Sequence, residues 1–236
     1  MTEPSTVQIE TEAGPMPALR WMPPAGAGPG LVLVQEIFGL SDYIRGRGAD
    51  LAELGYVVLA PEVYWRLDDA EVDESRPDFL EQGMRVASRV DWDSAVRDVR
   101  AALTHLRGID EVTGGVGLVG FCFGGGLAFN VAAAESPDAL VSYYGSTLPD
   151  LLDLAPMVDM PSLHHFGRDD QFIDGERVAR VRDAVCANPR ARFEIYDGAG
   201  HAFDNPMPAF HHEEASQRAW RTTVDFLAEW LPTSGQ

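Results

Sequence analysis

The chain has 236 residues, 45% apolar and 23% charged, an ordinary globular composition long enough to bury a substantial core. Its 37 acidic residues outweigh 18 basic ones, and the formal charge of −19 disfavours nucleic acid and anionic membrane as partners. All the basic residues are arginine, so a lysine Schiff base and a phosphate loop of the GK[ST] type are excluded.

No run of about 18 apolar residues exists to span a membrane. Met1 to Glu10 lacks the basic start and apolar stretch of a secretory signal, so a cytoplasmic protein is expected. Two cysteines, Cys122 and Cys186, are too few for a disulfide scaffold and read as free thiols. One domain over residues 1–236 is expected, as a monomer or small homo-oligomer.

In chain order, Val7 to Thr11 and Met16 to Trp21 read as a hairpin turning at Gly14-Pro15. The Pro- and Gly-dense Met22 to Gly30 is a loop, and Leu31 to Val34 is a short buried strand. A helix follows from about Asp42 to Leu54, then a strand at Tyr56 to Ala60. Arg66 to Arg89 is polar and poorly patterned, and is expected as loop and short helices. Asp91 or Asp93 can cap a helix carrying Val96, Val99, Leu103 and Leu106 at helical spacing. Val116 to Val119 is a strand, and Gly124 to Glu135 a helix of small residues. Strands at Leu140 to Tyr144, Pro161 to Phe166 and Arg192 to Tyr196 alternate with helices at Glu176 to Cys186 and His212 to Leu231. Cys186 is expected as a small core residue, and Trp220, Phe226, Leu227 and Trp230 as the packing face of the last helix. Such alternation implies a mostly parallel sheet covered by helices on both faces.

Ligands of such sheets bind beyond the carboxyl ends of the strands. The polar residues there are Gln35-Glu36, Pro61-Glu62, Cys122, Tyr143-Tyr144, Asp169-Asp170 and His201. Gly120-Phe-Cys-Phe-Gly124 has the form G-x-C-x-G between a strand and a helix, the context of a nucleophile elbow. Small neighbours are needed because larger side chains would collide in so sharp a turn. The thiol then projects at a helix N-terminus, where the dipole lowers its pKa, and the Phe123 N–H can serve as an oxyanion donor. The overlapping Gly115-Val-Gly-Leu-Val-Gly120 fits a dinucleotide fingerprint in letters only, since its residues form the strand itself. His201, in Asp197-Gly-Ala-Gly-His-Ala-Phe203, can swing an imidazole toward the thiol. Asp169 or Asp170 can fix its tautomer, and the order nucleophile, acid, histidine is that of α/β-hydrolases. His164-His165 and His211-His212 are not read as metal ligands, because adjacent strand residues point to opposite faces and the second pair opens a helix.

Gln35-Glu-Ile-Phe-Gly39, Ala60-Pro-Glu-Val-Tyr64, Gly120-Phe-Cys-Phe-Gly-Gly125, His165-Phe-Gly-Arg-Asp-Asp170 and Gly200-His-Ala-Phe203 resemble segments of the dienelactone hydrolase (carboxymethylenebutenolidase) family. The resemblance implies an α/β-hydrolase fold and hydrolysis of a small-molecule ester or lactone by Cys122, Asp170 and His201, without cofactor or metal. Its spacing selects Asp170 over Asp169. It further implies that Glu36 contacts the resting thiol, that the Ile37 N–H is the second oxyanion donor, and that Tyr144 lies near the pocket. Where members that open dienelactone carry an arginine after the histidine, this chain has Asn205. Arg76, Arg85 and Arg89 are candidates for a second substrate-binding arginine.

Overall fold

Uninterrupted apolar runs become strands and amphipathic runs become helices: the computed structural model, which describes residues 2–233, has eight strands and six α-helices among them. The chain divides into two compact units, one from residue 2 to Val116 with Thr233, the other from Gly117 to Pro232. No helix among the described residues is long and apolar enough to cross a membrane.

In the first unit β1 (Ser5–Thr11) and β2 (Gly14–Trp21) form the expected hairpin. Its turn is Glu12-Ala13 rather than Gly14-Pro15, because Gly14 and Pro15 already face Thr11 and Glu10 across the ladder. β2 runs antiparallel to β4 (Val57–Pro61), which is parallel to β3 (Gly28–Val34), giving the order β1-β2-β4-β3. β3 and β4 are buried throughout, as continuous apolar strands require. Ser41 caps α1 (Asp42–Glu53), which packs on β4 and β2; Asp91 caps α3 (Trp92–Arg107), which packs on β3 and β4. Between them α2 (Phe79–Ala87) occupies part of the stretch that reads as unpatterned. Its buried residues are only Gln82, Gly83 and Val86, too few and too polar for an apolar periodicity. Gly83 fits closely against Phe38 and Ile37, and the Phe79 and Phe38 rings are 5.4 Å apart.

Strand β5 (Val112–Phe121) begins in the first unit and ends in the second. There it is followed by β6 (Ala139–Tyr143), β7 (Ser162–Gly167) and β8 (Ala191–Tyr196), parallel and adjacent in chain order. The connections are α4 (Phe123–Glu135), two short 3-10 segments (Leu148–Asp150 and Leu152–Met157) and α5 (Gly175–Val185); α6 (Glu213–Trp230) ends the unit.

Two adjacent histidines show that helices cover both faces here. His164 meets Phe129 of α4, whereas His165 points oppositely and reaches Thr223 of α6 at 3.0 Å. The same hydroxyl lies 2.7 Å from that of Tyr143, and the Tyr196 hydroxyl is 2.9 Å from His165 Nδ1. Phe226 and Leu227 of α6 are fully buried, while Trp220 and Trp230 are only partly covered. Cys186 is exposed, not a core residue: α5 ends at Val185, so the thiol falls past the buried face of Val178, Val181 and Val185.

Candidate active site

The site is built at the end of β5. Cys122 has φ 52° and ψ −114°, a strained conformation for a residue with a side chain, between the last strand residue and the first turn of α4. Its N–H donates to the Tyr143 carbonyl at 3.0 Å, and its own carbonyl accepts from Gly125 at 3.0 Å and Ser146 at 3.1 Å. The glycines are sterically required. A Cβ on Gly120 would strike the Gly124 carbonyl, and one on Gly126 would strike the Thr147 hydroxyl. No side chain caps α4, so the Phe123 N–H is available to the sulfur and donates to it.

Two further loops complete the cluster. Past β7, Gly167 has no room for a Cβ because the Ala199 and Gly200 carbonyls lie against it. Arg168 and Asp169 donate their N–H groups to Tyr196 and Ala199 at 2.9 and 3.0 Å, which pins the acid loop to the histidine loop past β8. Asp170 Oδ1 accepts from Phe172 and Ile173 N–H at 2.8 and 2.9 Å, leaving Oδ2 for His201 Nδ1 at 2.7 Å. His201 Nε2 lies 3.0 Å from Cys122 Sγ. Asp169 is exposed, so the carboxylate in contact is the one that the resemblance selects.

Charge stabilises this chain. Burial would push His201 down, but the Cys122 thiolate and the Asp170 carboxylate outweigh it and raise the imidazole to about 10. Burial would push Cys122 up, but the His201 imidazolium, the Ser146 hydroxyl and the Phe123 N–H bring it below the ordinary thiol range. Each charge thus favours the other, drawing the thiol down and the imidazole up.

Tyr144 and Ala202, beside the cluster, also have positive φ, 37° and 56°. The Tyr144 ring is buried 5.2 Å from that of His201. Two contacts escaped the sequence reading. Phe172, 41% exposed, sets its ring edge-on to His201 at 5.2 Å, and Ser146 donates its hydroxyl to Cys122. Each stands two residues beyond a position the sequence singles out, Asp170 and Tyr144, but neither residue carries a sequence signal of its own.

Asn205 is fully buried, with Oδ1 accepting from the Met207 N–H at 2.9 Å, and the Asp204 carboxylate accepts from the Ser216 hydroxyl at 2.7 Å. Glu36 and Ile37 belong to the first unit, in the turn after β3, where the Glu36 backbone carbonyl accepts from Gly39 N–H at 3.2 Å and the Ile37 carbonyl from the Tyr64 hydroxyl at 3.0 Å. Also in that unit, Arg76 pairs with Asp78, Arg89 donates to the Asp68 and Asp69 carbonyls, and Arg85 is exposed on α2. A cleft of about 910 Å³ in the first unit is lined by Phe38, Arg45, Glu62, Tyr64 and Trp65 among others. None of Cys122, Asp170 or His201 lines it, and reactivity, not volume, locates the chemistry. The second histidine pair has structural partners: His211 bonds Glu213, and His212 caps α6.

A mostly parallel sheet with helices on two faces, bearing a strained cysteine at a strand-to-helix elbow, defines an α/β-hydrolase. The dienelactone hydrolase family model matches residues 16–231. The chain belongs to that family and is a hydrolase. Carboxymethylenebutenolidase of Pseudomonas putida is 33% identical over 212 residues, spanning 89% of this chain and 90% of that protein. That of Rhodococcus opacus is 31% identical, over 92% of this chain and 87% of its own. The crystal structure of a candidate dienelactone hydrolase from Klebsiella pneumoniae subsp. pneumoniae superposes with a TM-score of 0.85 at 26% identity, covering 98% of this chain and all of the other.

Proposed function

We propose that the chain hydrolyses a carboxylic ester or lactone through a covalent thioester, with Cys122 as nucleophile, His201 as acid and base, and Asp170 as the group that orients the imidazole. The observation that carries this reading is the continuous chain from Sγ to Nε2 at 3.0 Å and from Nδ1 to Oδ2 at 2.7 Å. The thiolate attacks the ester carbonyl carbon, and the Phe123 N–H turns to the developing oxyanion, where such a donor typically contributes about 3 kcal/mol. The family pattern assigns a second donor to the N–H of Ile37 and a resting thiol contact to Glu36. As the C–O bond breaks, His201 gives its proton to the leaving alkoxide or enolate. It then takes a proton from water, whose oxygen attacks the thioester and releases the acid and the thiolate. A thiolate favours activated esters such as enol lactones and aryl esters over amides.

One observation favours a broader carboxylesterase over an enzyme dedicated to dienelactone, which carries a carboxylate. Asn205, at the position of the family's arginine, is neutral, buried and engaged with its own loop.

Cys122→Ser and Cys186→Ser, each assayed on aryl esters and on dienelactone, test both points. Cys122→Ser should fold normally and lose more than about 100-fold in turnover, while Cys186→Ser keeps wild-type activity. Wild-type turnover in the Cys122 variant would end the proposal, and faster turnover of dienelactone than of aryl esters would remove the broader reading.

A further inference from the structure

We propose that the Ser146 hydroxyl is a catalytic hydrogen-bond donor to the Cys122 sulfur, holding the thiolate before attack and stabilising it as the departing group when the thioester is hydrolysed. This rests on the reading of Cys122 as the nucleophile.

The backbone leaves Ser146 little freedom. Tyr144, at φ 37°, turns the chain off the end of β6 while its N–H donates to the His165 carbonyl at 2.7 Å. Gly145 then passes so close to α4 that an added Cβ would meet the backbone of Gly125 and Gly126 at 3.2 Å. Thr147 is jammed against Gly126 on the other side. Held between these contacts, the Ser146 N–H donates to the Cys122 carbonyl at 3.1 Å, and the side chain hydrogen-bonds the sulfur of the same residue. Ser146 is only half-buried although Cys122 is buried.

The catalytic cycle gives this contact a distinct task. Three groups donate to the resting sulfur: His201, Ser146 and the Phe123 N–H. On acylation His201 surrenders its proton to the leaving group, and the Phe123 N–H turns to the oxyanion. Ser146 alone of the three has no other assignment. When water has added to the thioester and the tetrahedral intermediate collapses, the C–S bond breaks and its electron pair returns to sulfur. A hydroxyl already hydrogen-bonded to the sulfur lowers the basicity of that leaving group without transferring a proton.

The test uses the full chain carrying Cys186→Ser, because Cys186 is exposed and would also be alkylated. Iodoacetamide alkylation of Cys122 is followed against pH by mass spectrometry, and decay of the acyl-enzyme from an aryl ester by single-turnover kinetics. In Ser146→Ala the alkylation midpoint should rise by roughly one pH unit, the scale of one hydrogen bond to a charged group. The alkaline plateau should rise up to about threefold, since a more basic thiolate is the stronger nucleophile. Acyl-enzyme decay should slow several-fold, and Ser146→Thr, which keeps the hydroxyl, should restore the midpoint and the decay. A general loosening of the fold would give no faster plateau and no rescue by threonine. Alkylation curves that superimpose on those of the parent, with unchanged decay, would overturn the proposal. Full ester turnover in Cys122→Ala would instead overturn the nucleophile reading and the deacylation role with it; the alkylation titration needs no turnover and still decides whether the hydroxyl holds the thiolate.

Discussion

Burial alone would push Cys122 up and His201 down; their contact, with Asp170 on the far side of the imidazole, turns both shifts the other way. Asp170 has a double task, since one oxygen holds Nδ1 while the other accepts two backbone N–H groups of its own loop. Asp170→Asn can keep the loop bonds through its carbonyl oxygen, but it loses the charge and can present an N–H to Nδ1, selecting the wrong tautomer. The expected result is a fall in kcat of about 10³- to 10⁴-fold with little change in thermal stability. The pH profile of kcat/KM should respond too. In the parent its alkaline limb reflects loss of the imidazolium proton toward pH 10, and without the carboxylate that limb moves to lower pH. A variant with near-parental kcat and an unmoved limb would show that the carboxylate is a spectator. Phe172 could not be singled out in sequence, because an aromatic two residues past an aspartate has no signature until its ring is found on the imidazole.

At the level of elements, the alternation of apolar strands with patterned helices is legible along almost the whole chain, because each such element carries its own periodicity. Helix α2 was legible only as one of the short helices expected between Arg66 and Arg89, without its bounds. It buries a glycine, a glutamine and a valine, and it is held by the fit of Gly83 and Phe79 to Ile37 and Phe38 rather than by an apolar stripe of its own. The hairpin turn moved for a similar reason: Gly14-Pro15 is the strongest local turn signal, but cross-strand pairing continues through it and hands the turn to Glu12-Ala13. Polar contacts also decide how helices seat. The Thr223 hydroxyl of α6 reaches Tyr143 on β6 and His165 on β7 beneath a fully buried surface. Thr223→Val keeps the shape and removes both bonds, so it should cost about 1–3 kcal/mol in a urea-unfolding measurement. A cost below about 0.5 kcal/mol would show that shape alone holds α6.

Across the whole molecule, the buried histidines set the response to acid. Burial depresses both His164 and His165 to about 3, so the folded chain keeps them neutral while the unfolded chain protonates them below about 6.5. Their contribution is complete above that range and is lost as pH falls toward 3. By pH 5 the loss amounts to about 2 kcal/mol for each histidine. His201 behaves oppositely: its raised value adds stability below about 6.5 that disappears as pH climbs through 10, so it does not offset the acid loss. Urea midpoints at pH 7 and pH 5 should therefore differ clearly, and the difference should shrink in His164→Asn. Equal midpoints would mean that both histidines are reached by protons in the folded state.

Sequence by itself determined the strand–helix alternation, the elbow around Cys122 and the identity of the three residues now in contact. These depend on local period, on glycine where a Cβ has no room, and on spacing along the chain. Only the tertiary structure decided that Ser146 and Phe172 border the thiol and the imidazole and that Cys186 lies outside the core. Those outcomes depend on which loops are pinned side by side at the ends of β6, β7 and β8, and such packing between segments distant in sequence leaves no periodic trace in either of them.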